Sequence, residues 1–100
     1  MTGVDRDIIV AGNGDNIINA GNGHNTITSG SDIDSITAGT GNNIVNAGDG
    51  DNEVITGSGN DRITTGSGND FIYYGDGSDV IDAGAGVNDI KKFKPQVEVE

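Results

Sequence analysis

The sequence predicts an all-β chain wound as a parallel β-helix solenoid, with two short-strand parallel sheets and about five 18-residue coils. Three observations carry that expectation. From Thr2 to Lys91 the chain is ten consecutive copies of a nine-residue unit, and short strict periods mark repeat architectures. The eighth residue of every copy is isoleucine or valine, which suits a pleated, half-buried strand and disfavours helix. Glycine recurs through the first half of the unit, at a density that excludes helix.

The copies read TGVDRDIIV, AGNGDNIIN, AGNGHNTIT, SGSDIDSIT, AGTGNNIVN, AGDGDNEVI, TGSGNDRIT, TGSGNDFIY, YGDGSDVID and AGAGVNDIK. Their last three positions are the expected strands: 8–10, 17–19, 26–28, 35–37, 44–46, 53–55, 62–64, 71–73, 80–82 and 89–91. The middle residue points inward, giving Ile9, Ile18, Ile27, Ile36, Val45, Val54, Ile63, Ile72, Ile81 and Ile90. Its neighbours point outward, because strand side chains alternate, and most are polar, such as Thr26 and Thr28 or Arg62 and Thr64.

The first six positions read as turn. Glycine at the second and fourth places meets the demand for positive φ or close backbone approach. Asp5 and Asp32 replace the second glycine in two copies, and aspartate is among the few residues that tolerate the left-handed region. Two copies make one coil, so odd copies stack as one sheet and even copies as the other. With strands roughly 4.8 Å apart, five coils span about 20–25 Å.

Residues 1–91 are thus read as the repeat domain and 92–100 as a C-terminal cap or tail. In KKFKPQVEVE, Phe93 is expected to cover the end of the core, since solenoid ends need capping. The imperfect copy Thr2–Val10 reads as a weak N-terminal cap. The alternative is a low-complexity tract without a fold; ten aliphatics in register argue against it.

Composition narrows the function classes. The chain has 100 residues, no cysteine and only four aromatics, Phe71, Tyr73, Tyr74 and Phe93. Small domains of this kind need a staple, and without disulfides it must be a metal or further repeats. A net charge of −11 argues against nucleic acid as a partner, because phosphate binding needs a basic face. Such acidity also favours disorder, unless a cation neutralises it. No apolar run reaches the length of a membrane span, and the N-terminus shows no signal-peptide pattern.

No enzyme is expected. The single histidine, His24, lies in a turn, and Ser29, Ser31, Ser35, Ser58, Ser67 and Ser78 have no base in matching register. No helix follows the glycine-rich turns to hold a phosphate.

The candidate site is the sixth position of the unit: Asp7, Asn16, Asn25, Asp34, Asn43, Asn52, Asp61, Asp70, Asp79 and Asn88. Stacking sets each beside the residue eighteen positions away. Asp61 then meets Asp79, and Asp34 meets Asn52, which meets Asp70. Carboxylates about 5 Å apart repel unless a cation lies between them. Turn carbonyls facing the same gap make the donor set all oxygen, which fits calcium better than magnesium.

These copies resemble the glycine-rich nonapeptide G-G-x-G-x-D-x-U-x of RTX (repeats-in-toxin) proteins, over Thr2 to about Lys91. The resemblance implies a parallel β-roll holding several Ca2+ ions, with the sixth-position side chains and turn carbonyls as ligands. The copies that match best are Thr56–Asp61, Thr65–Asp70 and Tyr74–Asp79, so the carbonyls implied are those of Gly57, Gly59, Gly66, Gly68, Gly75 and Gly77. Position one is never glycine here, and the sixth position is asparagine in half the copies. Asn25 and Asn43 fit either a weak site or an asparagine ladder in which stacked side chains bond one another. Asp15, Asp49, Asp51 and Asp76 are expected to be solvated turn residues.

The leading functional expectation is a calcium-binding module that folds on binding Ca2+. The resemblance places it outside the cell, exported by a type I-like route. A metal-independent asparagine-ladder spacer or engineered repeat is the second reading. An ice-binding surface is the third, weakened because position three varies among Val4, Asn13, Asp49 and Ala85. Ile17, Ile55, Phe71 and Tyr73 form an outward apolar set, which fits self-association, attachment to a larger protein, or scattered exposure.

Overall fold

The computed structural model describes residues 6–92. These hold ten strands: β1 (Ile8–Gly12), β2 (Ile17–Gly21), β3 (Thr26–Ser29), β4 (Ser35–Ala38), β5 (Ile44–Gly48), β6 (Glu53–Ile55), β7 (Arg62–Thr65), β8 (Phe71–Tyr74), β9 (Val80–Asp82) and β10 (Asp89–Lys92). The expected cap around Phe93 and the turn residue Asp5 lie outside the described residues.

Odd strands form one five-stranded sheet in the order β1-β3-β5-β7-β9, and even strands the other, β10-β8-β6-β4-β2. Every pair is parallel, with the inward residues offset by eighteen, as in Ile27↔Val45, Val45↔Ile63 and Ile36↔Val54; the register slips by one at Gly12↔Ser29, Gly21↔Ala38 and Gly48↔Thr65. The nine-residue period therefore produces the predicted β-solenoid of about five coils.

Ile27, Ile36, Val54, Ile63 and Ile72 are fully buried between the two sheets, with Val45 and Ile18 nearly so. Each contributes about 1.5–3 kcal/mol of burial. The inward row weakens at its ends. Ile9 and Ile81 are only partly buried, and Ile90 is 43% exposed, because β10 is an edge strand.

Position one is not turn. Eight of the ten strands run past the three predicted residues, and alternation carries position one back to the core face. Ala20, Ala38 and Ala47 are buried there with Ser29, Thr56 and Thr65. The hydroxyls of Ser29 and Thr65 donate to the carbonyls of Ala47 and Ala83 one coil later, each at 2.9 Å. A second inward layer beneath a thin core explains why this place holds alanine, serine or threonine in nine copies and never glycine; in the remaining copy Tyr74 packs partly buried against the core.

The outward apolar set divides. Phe71 and Tyr73 stack at 6.2 Å, and Tyr73 pairs in register with Ile55. Ile17 stands apart on the edge strand β2, with β4 and its polar Ser35 and Thr37 between.

Candidate metal centre

Within each turn, the second and fourth positions set the backbone and the sixth carries the functional side chain. Gly59 and Gly77 both adopt positive φ, at 117° and 126°. A Cβ on Gly77 would press into the Gly59 carbonyl oxygen of the coil before it. The coils close on one another only because nothing is there. Asp32 takes the fourth position at φ 85°, as its tolerance of that region predicts.

The sixth-position residues form a continuous ladder of one kind of rung. The backbone N–H of each donates to Oδ1 of the residue eighteen positions later. The odd stack runs Asp7 to Asn25 (3.1 Å), Asn25 to Asn43 (3.1 Å), Asn43 to Asp61 (2.8 Å) and Asp61 to Asp79 (2.7 Å). The even stack runs Asn16 to Asp34, Asp34 to Asn52 and Asn52 to Asp70, each at 2.9 Å, then Asp70 to Asn88 at 2.8 Å. Stacked asparagines do not bond side chain to side chain at Asn25 and Asn43. The rung is backbone to side chain, and it accepts aspartate and asparagine alike.

The second side-chain atom separates the two residue types. In the asparagine turns Nδ2 donates back to the position-two carbonyl of its own turn. The bonds are Asn16 to Gly12 (2.8 Å), Asn25 to Gly21 (3.1 Å), Asn43 to Gly39 (3.1 Å), Asn52 to Gly48 (2.9 Å) and Asn88 to Gly84 (3.3 Å). Asn16, Asn43 and Asn52 also reach the position-four carbonyls of Gly14, Gly41 and Gly50. In the aspartate turns the corresponding atom is an oxygen and has nothing to donate. Oδ2 of Asp7, Asp34, Asp61, Asp70 and Asp79 is buried with no hydrogen-bond partner.

Asp34 is fully buried, and Asp61 and Asp70 are 98% so. A buried acceptor left unpaired costs about 1–3 kcal/mol, and more when charged. Five such oxygens are comparable with the whole net stability of an ordinary domain, about 5–15 kcal/mol. Burial raises the Asp61 carboxyl above its usual value; the Asn43 backbone N–H, the Thr56 hydroxyl and the Asn43 side chain oppose the rise, and the Asp79 carboxylate adds a little to it.

The atoms present fit a hard cation. Between the Asp61 and Asp79 turns, Oδ2 of both residues is buried and unpartnered, and the carbonyl oxygens of Gly57 and Gly59 face Gly75 and Gly77 of the following coil at close range. The carbonyls of Gly66 and Gly68 likewise face Gly84 and Gly86 in the coil after them. Among the described residues no three His, Cys, Asp or Glu side chains converge. The donor set is carboxylate oxygen plus backbone oxygen, the ligand chemistry of calcium.

Two further ladders follow the turns and were not anticipated. At position three, Ser31, Thr40 and Ser67 donate backbone N–H groups to Asn13, Asn22 and Asp49. At position five, Ile33, Asn42 and Asn69 donate to Asp15, His24 Nδ1 and Asp51. Asp15, Asp49 and Asp51 are exposed, as expected, but each also holds the coil that follows it. Here the acceptor lies in the earlier coil, the reverse of the sixth-position ladder. The recurrence of Asn, Asp and Ser at these places was the signal.

Comparison with known families matches the chain to the RTX calcium-binding nonapeptide repeat (4 copies), over residues 1–36, 28–63 and 55–90. Neither the curated proteins nor the solved structures provide a match. With successive matches spanning residues 1–90 and the repeat wound as a parallel β-solenoid, the chain belongs to the RTX calcium-binding nonapeptide repeat family.

Proposed function

We propose that this chain is an extracellular calcium-binding β-roll module whose folding is coupled to Ca2+ through its five aspartate turns. One observation carries the reading: each sixth-position aspartate keeps one buried oxygen without a partner, in the place where asparagine donates to the carbonyl oxygens of its own turn. Bound calcium supplies positive charge to those oxygens. Asp61 and Asp79 form the one stacked pair of carboxylates, and Gly57, Gly59, Gly75 and Gly77 contribute the turn backbone around them. Asp34 and Asp70 act in turns based on Gly66, Gly68 and their counterparts. Without a cation, a net charge of −11 and five orphaned oxygens oppose the compact state.

Coupling of this kind suits a protein folded by the millimolar calcium found outside cells, the range in which extracellular calcium modules bind, about 10⁻⁴–10⁻³ M. Binding to the folded state alone stabilises it by mass action. Far-ultraviolet circular dichroism during calcium titration, followed by chelation, tests the proposal. A β-sheet spectrum that strengthens and melts higher with calcium, and weakens on chelation, is expected. The same spectrum with and without calcium, with no ion bound in equilibrium dialysis, would overturn it in favour of a metal-independent spacer.

A further inference from the structure

We infer that the five ladder asparagines, Asn16, Asn25, Asn43, Asn52 and Asn88, are built-in substitutes for the cation, so that metal binding is confined to the aspartate turns. The inference rests on reading the chain as a calcium-binding module and narrows it. By sequence alone these asparagines are candidate ligands. The geometry gives them the opposite role.

Asparagine and aspartate have the same shape and occupy the same rung, with Oδ1 accepting from the coil before. They differ in one atom. Where asparagine stands, an N–H donor meets the turn carbonyls, as at Asn52 with Gly48 at 2.9 Å and Gly50 at 3.2 Å. Where aspartate stands, an acceptor faces the same surroundings and is left unpartnered. The division is complete among the described residues: all five asparagines donate to the position-two carbonyl, and all five aspartates leave Oδ2 orphaned. An amide hydrogen thus satisfies the oxygens that a cation would otherwise satisfy. A turn closed this way has no need of metal, and it offers a nitrogen where a ligand oxygen would have to be.

The order of the two types sets the pattern of binding. The even stack alternates Asn16, Asp34, Asn52, Asp70 and Asn88, so every aspartate turn lies between two amide-closed turns. The odd stack places Asn25 and Asn43 together and Asp61 and Asp79 together. Among the described residues the roll therefore takes at most five ions, one per aspartate turn. Its amide-closed turns keep part of the ladder intact when calcium is withdrawn.

Substitutions in the full chain test this, with the calcium count read by equilibrium dialysis and thermal stability read by circular dichroism in metal-free buffer. D34N and D70N are each expected to bind one ion fewer and to melt several degrees higher without metal. N52D is expected to bind one ion more and to melt lower without metal. D51N is the control for charge, since it removes the same charge from an exposed side chain and its Oδ1 can still accept from Asn69. If single variants are too unstable to measure, D34N/D61N/D70N/D79N together are expected to give a β-sheet spectrum in chelator.

Equal metal-free stability of D34N and D51N would overturn the inference, and so, where the parent chain binds calcium, would an unchanged ion count in both D34N and N52D. Failure of the calcium reading looks different. The parent chain would then bind no ion, yet D34N would still melt above D51N, because closure by the amide does not depend on metal. A quadruple variant that remains unfolded in chelator also overturns the inference.

Discussion

The backbone N–H of Asp61 donates to Oδ1 of Asp79 at 2.7 Å, and each of these aspartates keeps its other carboxylate oxygen buried without a partner. Two like charges are thereby held in adjacent coils by the hydrogen bond that stacks the coils. The fold brings together groups that repel, a conflict that the calcium proposed above would resolve.

The pH dependence follows from Asp61. Burial raises its carboxyl pKa above the ordinary 3.8, so the folded chain holds that proton more tightly than the unfolded chain. The stabilisation by protonation is fully present below the unfolded value and is lost as pH rises through the folded one. In metal-free buffer the roll should therefore gain stability as pH falls from neutral towards about 4. Calcium affinity should weaken over the same window, because proton and metal compete for one carboxylate. Thermal melts with and without calcium check both directions, and D61N should flatten them.

Ile63 is fully buried between the sheets and has Val45 and Ile81 as register partners. Ile63→Ala leaves a cavity between the two sheets. The expected loss is about 2–5 kcal/mol, read from urea unfolding in saturating calcium. A loss under 1 kcal/mol would show that the sheets close over the gap.

Gly59 combines a φ of 117° with a close approach to the Gly41 carbonyl of the preceding coil. Gly14 has a φ of 100° with open space around the place of a Cβ. Gly59→Ala should therefore destabilise more than Gly14→Ala, because only the first must also push two coils apart. Equal melting temperatures for the two variants would mean that backbone strain alone sets the cost.

His24 accepts the Asn42 N–H on Nδ1 at 3.0 Å. Asp51 and Asn60 do the same for Asn69 and Ser78 on their coils. His24→Asn should leave stability unchanged, whereas His24→Ala should cost about 0.5–1.5 kcal/mol for the lost rung. Amide hydrogen exchange at Asn42 provides the local readout, faster in the alanine variant only.

Much of this molecule is local enough to be read directly. One β-branched residue every ninth position, flanked by polar ones, specifies a strand, its face and its partner eighteen residues away. The pairing of Asp61 with Asp79 and of Asp34 with Asn52 follows from the period alone. Position one was misread because three strand residues already completed the visible pattern. Whether a small residue beside a glycine is turn or core depends on how near the opposite sheet comes.

What the sequence by itself determined is the period, and with it the coil, the two sheets and the column of aspartates and asparagines. What only the tertiary structure decided is which atom of each side chain is spent and which is left over. Oδ1 is taken by an N–H in another coil, and the remaining atom then meets its own turn's carbonyls, as donor at Asn52 and as orphan at Asp70. Those partners are fixed by stacking across eighteen residues, and hydrogen bonding depends on distances that only the closed solenoid sets.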